Sequence, residues 1–157
     1  MFRDGEIDGV IQKPLACFED ARGWLIEIFR DDEVEPALKP AMVYLSQTLP
    51  GAARGPHEHR EQSDYFAFPG PGDVKLYLWD NRADSPTSGN RQTLLVGESN
   101  RQVVIVPPGV VHAYRNVGGV PALVFNGPNR LYAGEGREHP VDEIRHEDRP
   151  ENPFVLD

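Results

Sequence analysis

The chain has 157 residues, of which 25 are acidic and 16 basic, giving a formal net charge of −9 at pH 7. Such an acidic surface repels phosphate backbones and anionic lipid, which argues against nucleic-acid and membrane partners. No apolar run approaches the roughly 18 residues of a membrane span, and the N-terminus lacks the apolar core of a signal peptide. Because Cys17 is the single cysteine, no intramolecular disulfide can form. We therefore expect a cytoplasmic protein with one domain over residues 1–157.

Short apolar stretches rich in β-branched and aromatic residues follow one another along the chain, separated by turns. The chain has 15 glycines and 15 prolines, which fall mainly in the turns between these stretches. Predicted strands, in chain order, lie at 23–29, 41–49, 64–70, 74–80, 91–97, 102–107, 112–117 and 121–127. Helical signal is weak and confined to a turn or two at 31–39, which Pro36 shortens. Strands about ten residues apart predict an all-β barrel or sandwich, with the charged stretch 137–154 packing over it as an irregular tail or short helix.

Two histidines one residue apart, His57 and His59, are the first candidates for chemistry. If they lie on a strand, their side chains point to the same face. Asp64 follows five positions later, and His112 lies in the stretch "VPPGVVHAYRN". These segments resemble the two motifs of the cupin superfamily, G-x5-H-x-H-x4-E and P-x-G-x2-H-x3-N, with Asp64 where glutamate is usual. The resemblance implies a double-stranded β-helix, a small jelly-roll barrel with the three histidines at its mouth.

Four blocks narrow the resemblance further. The stretches "DARGWLIEIF" at 20–29, "ARGPH" at 53–57, "DNRADSPTSG" at 80–89 and "NRQVVIVPPGVVHAY" at 100–114 resemble successive blocks of the dTDP-4-dehydrorhamnose 3,5-epimerase family. This resemblance implies an isomerase that acts on a keto-sugar without a cofactor. We expect the sugar to be nucleotide-linked. It also implies a homodimer formed through the barrel sheets.

The same resemblance implies roles for individual residues. His57 falls on the general base, and Tyr132 on the acid that returns a proton from the opposite face of the sugar. Phe125 stands where an earlier tyrosine of the family would lie. The positions implied to bind substrate are Arg22, Glu27, Arg54, His59 and His112. The "HEH" triplet departs from the epimerases and is similar to the "RGxHxH" motif of related cupin ketoisomerases of nucleotide sugars.

The residue types suit this chemistry. Epimerisation next to a ketone removes a C–H proton to give an enolate and then reprotonates it from the other face. Histidine, with a reference pKa of about 6.5, suits the base, and tyrosine, at about 10, can serve as the acid. Arginine or histidine can stabilise the enolate oxygen.

Two alternatives to a metal-free epimerase remain open. In one, His57, His59, Asp64 and His112 bind a divalent metal ion in a metal-dependent cupin enzyme, because three imidazoles and a carboxylate suit Fe, Mn, Ni or Zn. In the other, the barrel binds a sugar without catalysis. The metal-free reading is the one we expect.

Overall fold

The computed structural model describes residues 1–157, and its regular secondary structure is almost entirely β-strand. The strands are β1 (Arg3–Asp4), β2 (Ile11–Pro14), β3 (Cys17–Asp20), β4 (Gly23–Ile26), β5 (Tyr44–Thr48), β6 (Ala53–Glu58), β7 (Asp64–Phe68), β8 (Asp73–Asp80), β9 (Asn90–Gly97), β10 (Gln102–Val106), β11 (Val110–Asn116), β12 (Ala122–Pro128) and β13 (Ile144–Arg145). The helical content is three single 3₁₀ turns, Asp31–Glu33, Pro36–Leu38 and Glu135–Arg137. No helix has the length and apolar character needed to cross a membrane.

Two sheets form the barrel. The first has six strands in the order β1-β9-β8-β11-β6-β13, and the second has five in the order β2-β10-β7-β12-β5. All pairings are antiparallel except that of β1 with β9. The predicted all-β jelly-roll fold is confirmed, and each of the eight predicted strands overlaps an observed one.

The core lies between the sheets, and the alternation in "VKLYLWD" shows how it is built. Val74, Leu76 and Leu78 point inward into a cluster of 13 buried residues. Their neighbours Tyr77 and Trp79 point outward, as the period of two requires, but they are also buried. The outer face of the six-stranded sheet is covered there by the C-terminal tail, whose Phe154 ring lies 5.5 Å from Trp79. The tail is thus mostly irregular, as expected, with the short strand β13 added to the sheet.

A separate hairpin, β3–β4, makes a two-stranded sheet of its own. It exposes three large apolar side chains, Phe18, Trp24 and Leu25, each at least half accessible. One face of Trp24 is approached by the Arg101 guanidinium, 6.0 Å from the ring centre. The hairpin carries the first of the four family-like blocks, and its apolar surface is not covered by the chain itself.

Candidate active site

A cavity of about 1680 Å³ opens at one end of the barrel. Its walls come from β5 and β6 and from the segment 128–147, which follows β12 and crosses the mouth. Typical small-ligand sites measure about 300–1,000 Å³. The cavity therefore has room for a ligand larger than a single sugar.

Two strands of the six-stranded sheet bring the histidines together. His57 on β6 is the cross-strand partner of His112 on β11, and their ring centres lie 4.4 Å apart. His59 follows the end of β6, with its ring centre 5.8 Å from both. The backbones approach closely here because residue 55 is glycine: at its φ of +78°, a Cβ would lie 2.6 Å from the His112 carbonyl oxygen. Side-chain donor atoms of the three histidines all lie within 4.8 Å of one another.

Asp64, the first residue of β7 on the opposite sheet, completes the cluster. Its Oδ2 lies 3.1 Å from His59 Nε2 and 3.4 Å from His112 Nε2. Its Oδ1 accepts hydrogen bonds from the side-chain amides of Gln62, at 3.0 Å, and Asn126, at 3.2 Å. Burial alone would raise the pKa of this carboxyl, but the His59 hydrogen bond and the nearby imidazoles lower it. Asp64 is therefore a buried carboxylate anion.

His59 is held on both sides of its ring. Its Nδ1 contacts the backbone carbonyl oxygen of Asp142, while Nε2 faces Asp64. Burial opposes protonation, but the hydrogen bond to Asp64 and its charge raise the pKa of His59 above its ordinary value. The Asp142 carboxylate in turn accepts the backbone N–H groups of residues 60, 61 and 62, each at 2.9 Å. The segment before β13 thus fixes the loop that carries His59.

His57 and His112 differ from His59. Burial lowers the pKa of His112, whose Nδ1 donates to the Val110 carbonyl oxygen at 3.2 Å. Burial also lowers the pKa of His57, to about 3, and the neighbouring His112 adds to this effect, while the charge of Glu143 opposes it. The His57 ring is partly accessible from the cavity and makes no hydrogen bond to the protein. It is a neutral imidazole with a nitrogen available to a ligand.

The other predicted site residues divide into two groups. Arg54 and Tyr132 line the cavity. The Arg54 guanidinium donates to Thr48 Oγ1 at 3.1 Å and to the Gln47 carbonyl at 2.9 Å, and it has no acidic partner. Tyr132 is 57% exposed at the rim.

Arg22 and Glu27 do not line this cavity. Arg22 lies at the tip of the β3–β4 hairpin, where its guanidinium bonds Asp20 at 2.5 Å. Glu27 follows the hairpin and faces Arg30, 3.9 Å away. Within one chain these two residues do not contact the cavity, and their substrate-binding roles stay predictions.

Two cavity residues, Tyr44 and Glu143, were not anticipated. The Tyr44 hydroxyl accepts the Asn126 side-chain amide at 2.7 Å, and burial, with the charge of Asp64, raises the pKa of Tyr44 to about 12. The charge of Glu143 opposes the lowering of the His57 pKa. Glu143 lies just before β13, in which Arg145 is the cross-strand partner of His57. Tyr44 was missed because the stretch 41–49 is mostly apolar and gives no sign of a polar site. Glu143 was missed because it lies in no recognisable motif.

The dTDP-4-dehydrorhamnose 3,5-epimerase family model matches residues 4–136. The chain belongs to this family. It is 39% identical over 127 residues to a probable low-salt glycan biosynthesis epimerase, Agl13, of Haloferax volcanii, covering 80% of this chain and 81% of the relative. It is 36% identical over 119 residues to the spore coat polysaccharide biosynthesis protein SpsL of Bacillus subtilis, covering 76% and 78%.

Solved structures agree with the fold. A dTDP sugar isomerase from Desulfovibrio desulfuricans superposes with a TM-score of 0.82 at 25% identity, over 95% of this chain and 91% of that one. Family membership makes this protein an isomerase-class enzyme of the nucleotide-sugar epimerase type.

Proposed function

We propose that this protein epimerises a dTDP-linked 4-keto-6-deoxy sugar next to its ketone, with His57 as the base. One observation supports this assignment above the others. Of the three clustered histidines, His57 alone combines access from the cavity with a ring free of protein hydrogen bonds. A base must reach the proton it removes and must be neutral beforehand, and His57 meets both conditions.

The surrounding charges support the proton transfer. Removing a C–H proton next to a ketone places negative charge on the ketone oxygen, and Arg54, with no carboxylate partner, is available to stabilise it. His57 becomes a cation in the same step, and the Glu143 charge favours that form. We assign return of the proton on the opposite face to Tyr132, at the cavity rim.

The size and charge of the cavity support a nucleotide-linked substrate. Two of its arginines, Arg130 and Arg145, are paired with Glu61 and Glu143. Arg54 and Arg137 line the same cavity without an acidic partner, and guanidinium groups suit a diphosphate. The dTDP group is proposed from membership of the family and from the structural similarity to the dTDP sugar isomerase of Desulfovibrio desulfuricans.

We further propose that the enzyme is a cytoplasmic homodimer. The β3–β4 hairpin exposes Phe18 and Leu25, which are cross-strand partners, and also Trp24, and exposed apolar surface next to free strand edges favours pairing with another chain. A partner's hairpin at the cavity mouth would also give Arg22 and Glu27 the substrate contact that they lack within one chain. The cytoplasmic location rests on the lone Cys17 and on the proposed nucleotide-sugar substrate.

Two substitutions test the proton-transfer assignment on a dTDP-4-keto-6-deoxyhexose in deuterium oxide. His57→Asn should abolish deuterium incorporation beside the ketone, with a loss on the order of 10²- to 10⁴-fold. Tyr132→Phe should retain incorporation, because His57 still removes and returns the proton on one face, while inversion slows sharply. Mass spectrometry reports incorporation, and NMR of the sugar reports inversion.

Tyr44→Phe is the matched control, since Tyr44 lies in the same cavity but its hydroxyl is engaged by Asn126. If Tyr44→Phe, rather than Tyr132→Phe, separates incorporation from inversion, the acid is Tyr44. Wild-type incorporation by His57→Asn would overturn the base assignment.

A further inference from the structure

Residues 130–141, which we call the strap, leave the barrel and return to it at the same short loop. Asn129 precedes the strap, and its Oδ1 accepts the Ser63 backbone N–H at 2.8 Å. Asp142 follows the strap, and its carboxylate accepts the N–H groups of residues 60–62, each at 2.9 Å. Two side chains thus bind four consecutive backbone donors of one loop. A surface loop whose ends lie close together is an Ω-loop, a class that is frequently functional.

The middle of the strap is weakly held compared with its ends. From 131 to 141, one hydrogen bond reaches the rest of the protein, from the Tyr132 backbone N–H to the Met42 sulfur at 3.1 Å. A thioether sulfur is a weak acceptor. The apolar side chains of Leu131 and Val141 are both exposed, so they add little packing. A segment with so few outside contacts opens at a lower free energy than the barrel beneath it.

The strap is folded against itself and has an unfavourable backbone. The His139 N–H donates to the Ala133 carbonyl at 2.8 Å, and a Cβ at Gly134 would overlap the His139 ring. Ala133 and Arg137 have φ of +57° and +63°, a left-handed conformation that costs free energy when the residue carries a side chain. Such residues cluster at ligand clamps and switch regions. The strap can therefore move as one piece, and a change of backbone conformation would release strain.

Tyr132 lies on this weakly held stretch, outside the reach that its proposed role requires. Its side chain is 57% exposed at the cavity rim, and its hydroxyl has no hydrogen-bond partner in the protein. A general acid must come within about 2.6–3.2 Å of the atom that it protonates, and closing loops exclude water from such sites. An open cavity of about 1680 Å³ with its acid at the rim meets neither condition until the strap moves inward.

We propose that the strap is a lid that closes on bound substrate and carries Tyr132 to the sugar, with Asn129 and Asp142 as the positioning residues that fix its ends. A ligand drives closure only through contacts that the closed state alone provides. Arg137, on the strap and without an acidic partner, supplies such a contact to a diphosphate. The purpose of closure rests on the proposed function, whereas the weak attachment of the strap is a property of the free protein.

Hydrogen exchange read by mass spectrometry tests the lid on the full chain. In the free protein, the amides of 133–139 should exchange faster than those of 60–63, which are bound by the side chains at the ends of the strap. The probe for closure is dTDP-glucose, which lacks the ketone and therefore cannot react. At about ten times its Kd, it should slow exchange in 133–139 by about 10-fold. The loop 81–89 lies outside the cavity and should not change.

Asn129→Ala tests the positioning role through two readouts that should separate. It removes the side-chain bonds to the Ser63 N–H and the Ala37 carbonyl but leaves β6, and with it His57, in place. Inversion of a dTDP-4-keto-6-deoxyhexose should slow by up to about 100-fold, the effect of a misplacement of about 1 Å. Deuterium incorporation, which needs His57 alone, should stay near the wild-type rate. Loss of stability by itself would lower both readouts together.

Asn129 is the better end to change, because Asp142 also contacts His59 through its backbone carbonyl. Asn100→Ala is the matched control. The Asn100 side chain likewise donates to a backbone carbonyl, that of Leu95 at 2.8 Å, but it lies outside the cavity. Both readouts should be unchanged in this variant.

Each remaining outcome counts against the proposal. Equal loss of inversion and incorporation in Asn129→Ala overturns the positioning role. Strap amides that exchange as slowly as those of 60–63 in the free protein overturn the lid, and so does bound dTDP-glucose that leaves strap exchange unchanged. Absence of dTDP-glucose binding in calorimetry refutes the proposed substrate and, with it, the ligand that closes the lid. That result is distinct from binding without protection, which refutes the lid alone.

Discussion

Asp80, at the end of β8, organises the loop 81–89 that includes "SPTSG", and its replacement should cost stability without affecting catalysis. Its side chain is fully buried and accepts Arg82 Nε at 2.8 Å and Nη2 at 2.9 Å, Ser85 Oγ at 2.5 Å and Thr87 Oγ1 at 2.6 Å. Asp80→Asn keeps the shape but removes the charge and turns one acceptor into a donor. Neither Asp80 nor the loop lines the cavity.

The magnitude follows from the burial of the two partners. Removing one partner of a fully buried ion pair costs about 3–5 kcal/mol. Arg82 is a quarter exposed, so water can partly rehydrate it, and we expect about 2–3 kcal/mol. At about 2–4 °C per kcal/mol for a chain of this size, Tm should fall by roughly 4–12 °C. Asp84→Asn, at an exposed position in the same loop, is the control and should leave Tm unchanged.

The loss of stability caused by Asp80→Asn should also depend on pH. Burial would raise the pKa of Asp80, but the hydrogen bonds from Arg82, Ser85 and Thr87 lower it well below its ordinary value. A lowered folded-state pKa contributes stability above the unfolded value of about 3.9, and that stability is lost as the pH falls toward the folded value. The Tm difference between wild type and Asp80→Asn should therefore be constant near neutrality and shrink below about pH 4. Thermal denaturation monitored by circular dichroism measures it, and a difference under 2 °C at pH 7 would refute the reasoning.

Three shorter predictions concern other parts of the molecule. Gly55→Ala places a Cβ against a β11 carbonyl and should lower both stability, by about 1–3 kcal/mol or more, and proton exchange; Gly51→Ala, with a similar positive φ but open space, should affect exchange little. Phe154→Ala removes the ring that covers Trp79 and should lower the free energy of unfolding by about 3–5 kcal/mol, measured by urea denaturation. Trp24→Glu should convert the proposed dimer to a monomer in sedimentation velocity, and a wild-type monomer at micromolar concentration would contradict the dimer.

The barrel was predictable because most of its strands have a recognisable local sequence pattern. Alternation in 74–80 and the continuous apolar run "VVIV" at 103–106 reflect burial on one or both faces, and turn residues separate the runs. The strands that sequence reasoning missed lack such a signal. β2, "IQKP", is exposed throughout and is a strand because β10 offers it a free edge. β6, "ARGPHE", contains a Gly-Pro pair that is typical of a turn, although His57 near its end and His59 just after it point to the same cluster, as expected.

The site was predictable only where a spaced motif carries it. The structure brings together the four motif residues, His57, His59, Asp64 and His112. Their spacing predicted this because strand pairing places His57 opposite His112. Glu143 could not be anticipated. Its position beside His57 depends on the path of an irregular tail that returns to β6 more than 80 residues later, and no local pattern encodes such a return.

The same strand period explains why a glutamate stands between two histidines. In the triplet at 57–59, the flanking rings point to the cluster, so the Glu58 side chain must point to the opposite face of the sheet. There its Oε1 is buried and accepts His146 Nε2 at 2.9 Å and Asn81 Nδ2 at 3.0 Å. The His146 ring packs on Phe154, so Glu58 anchors the tail on the outer face. That anchor fixes β13 beside β6 and, with it, the segment that brings Glu143 to His57. Substrate chemistry on one face of β6 therefore depends on tail docking on the other.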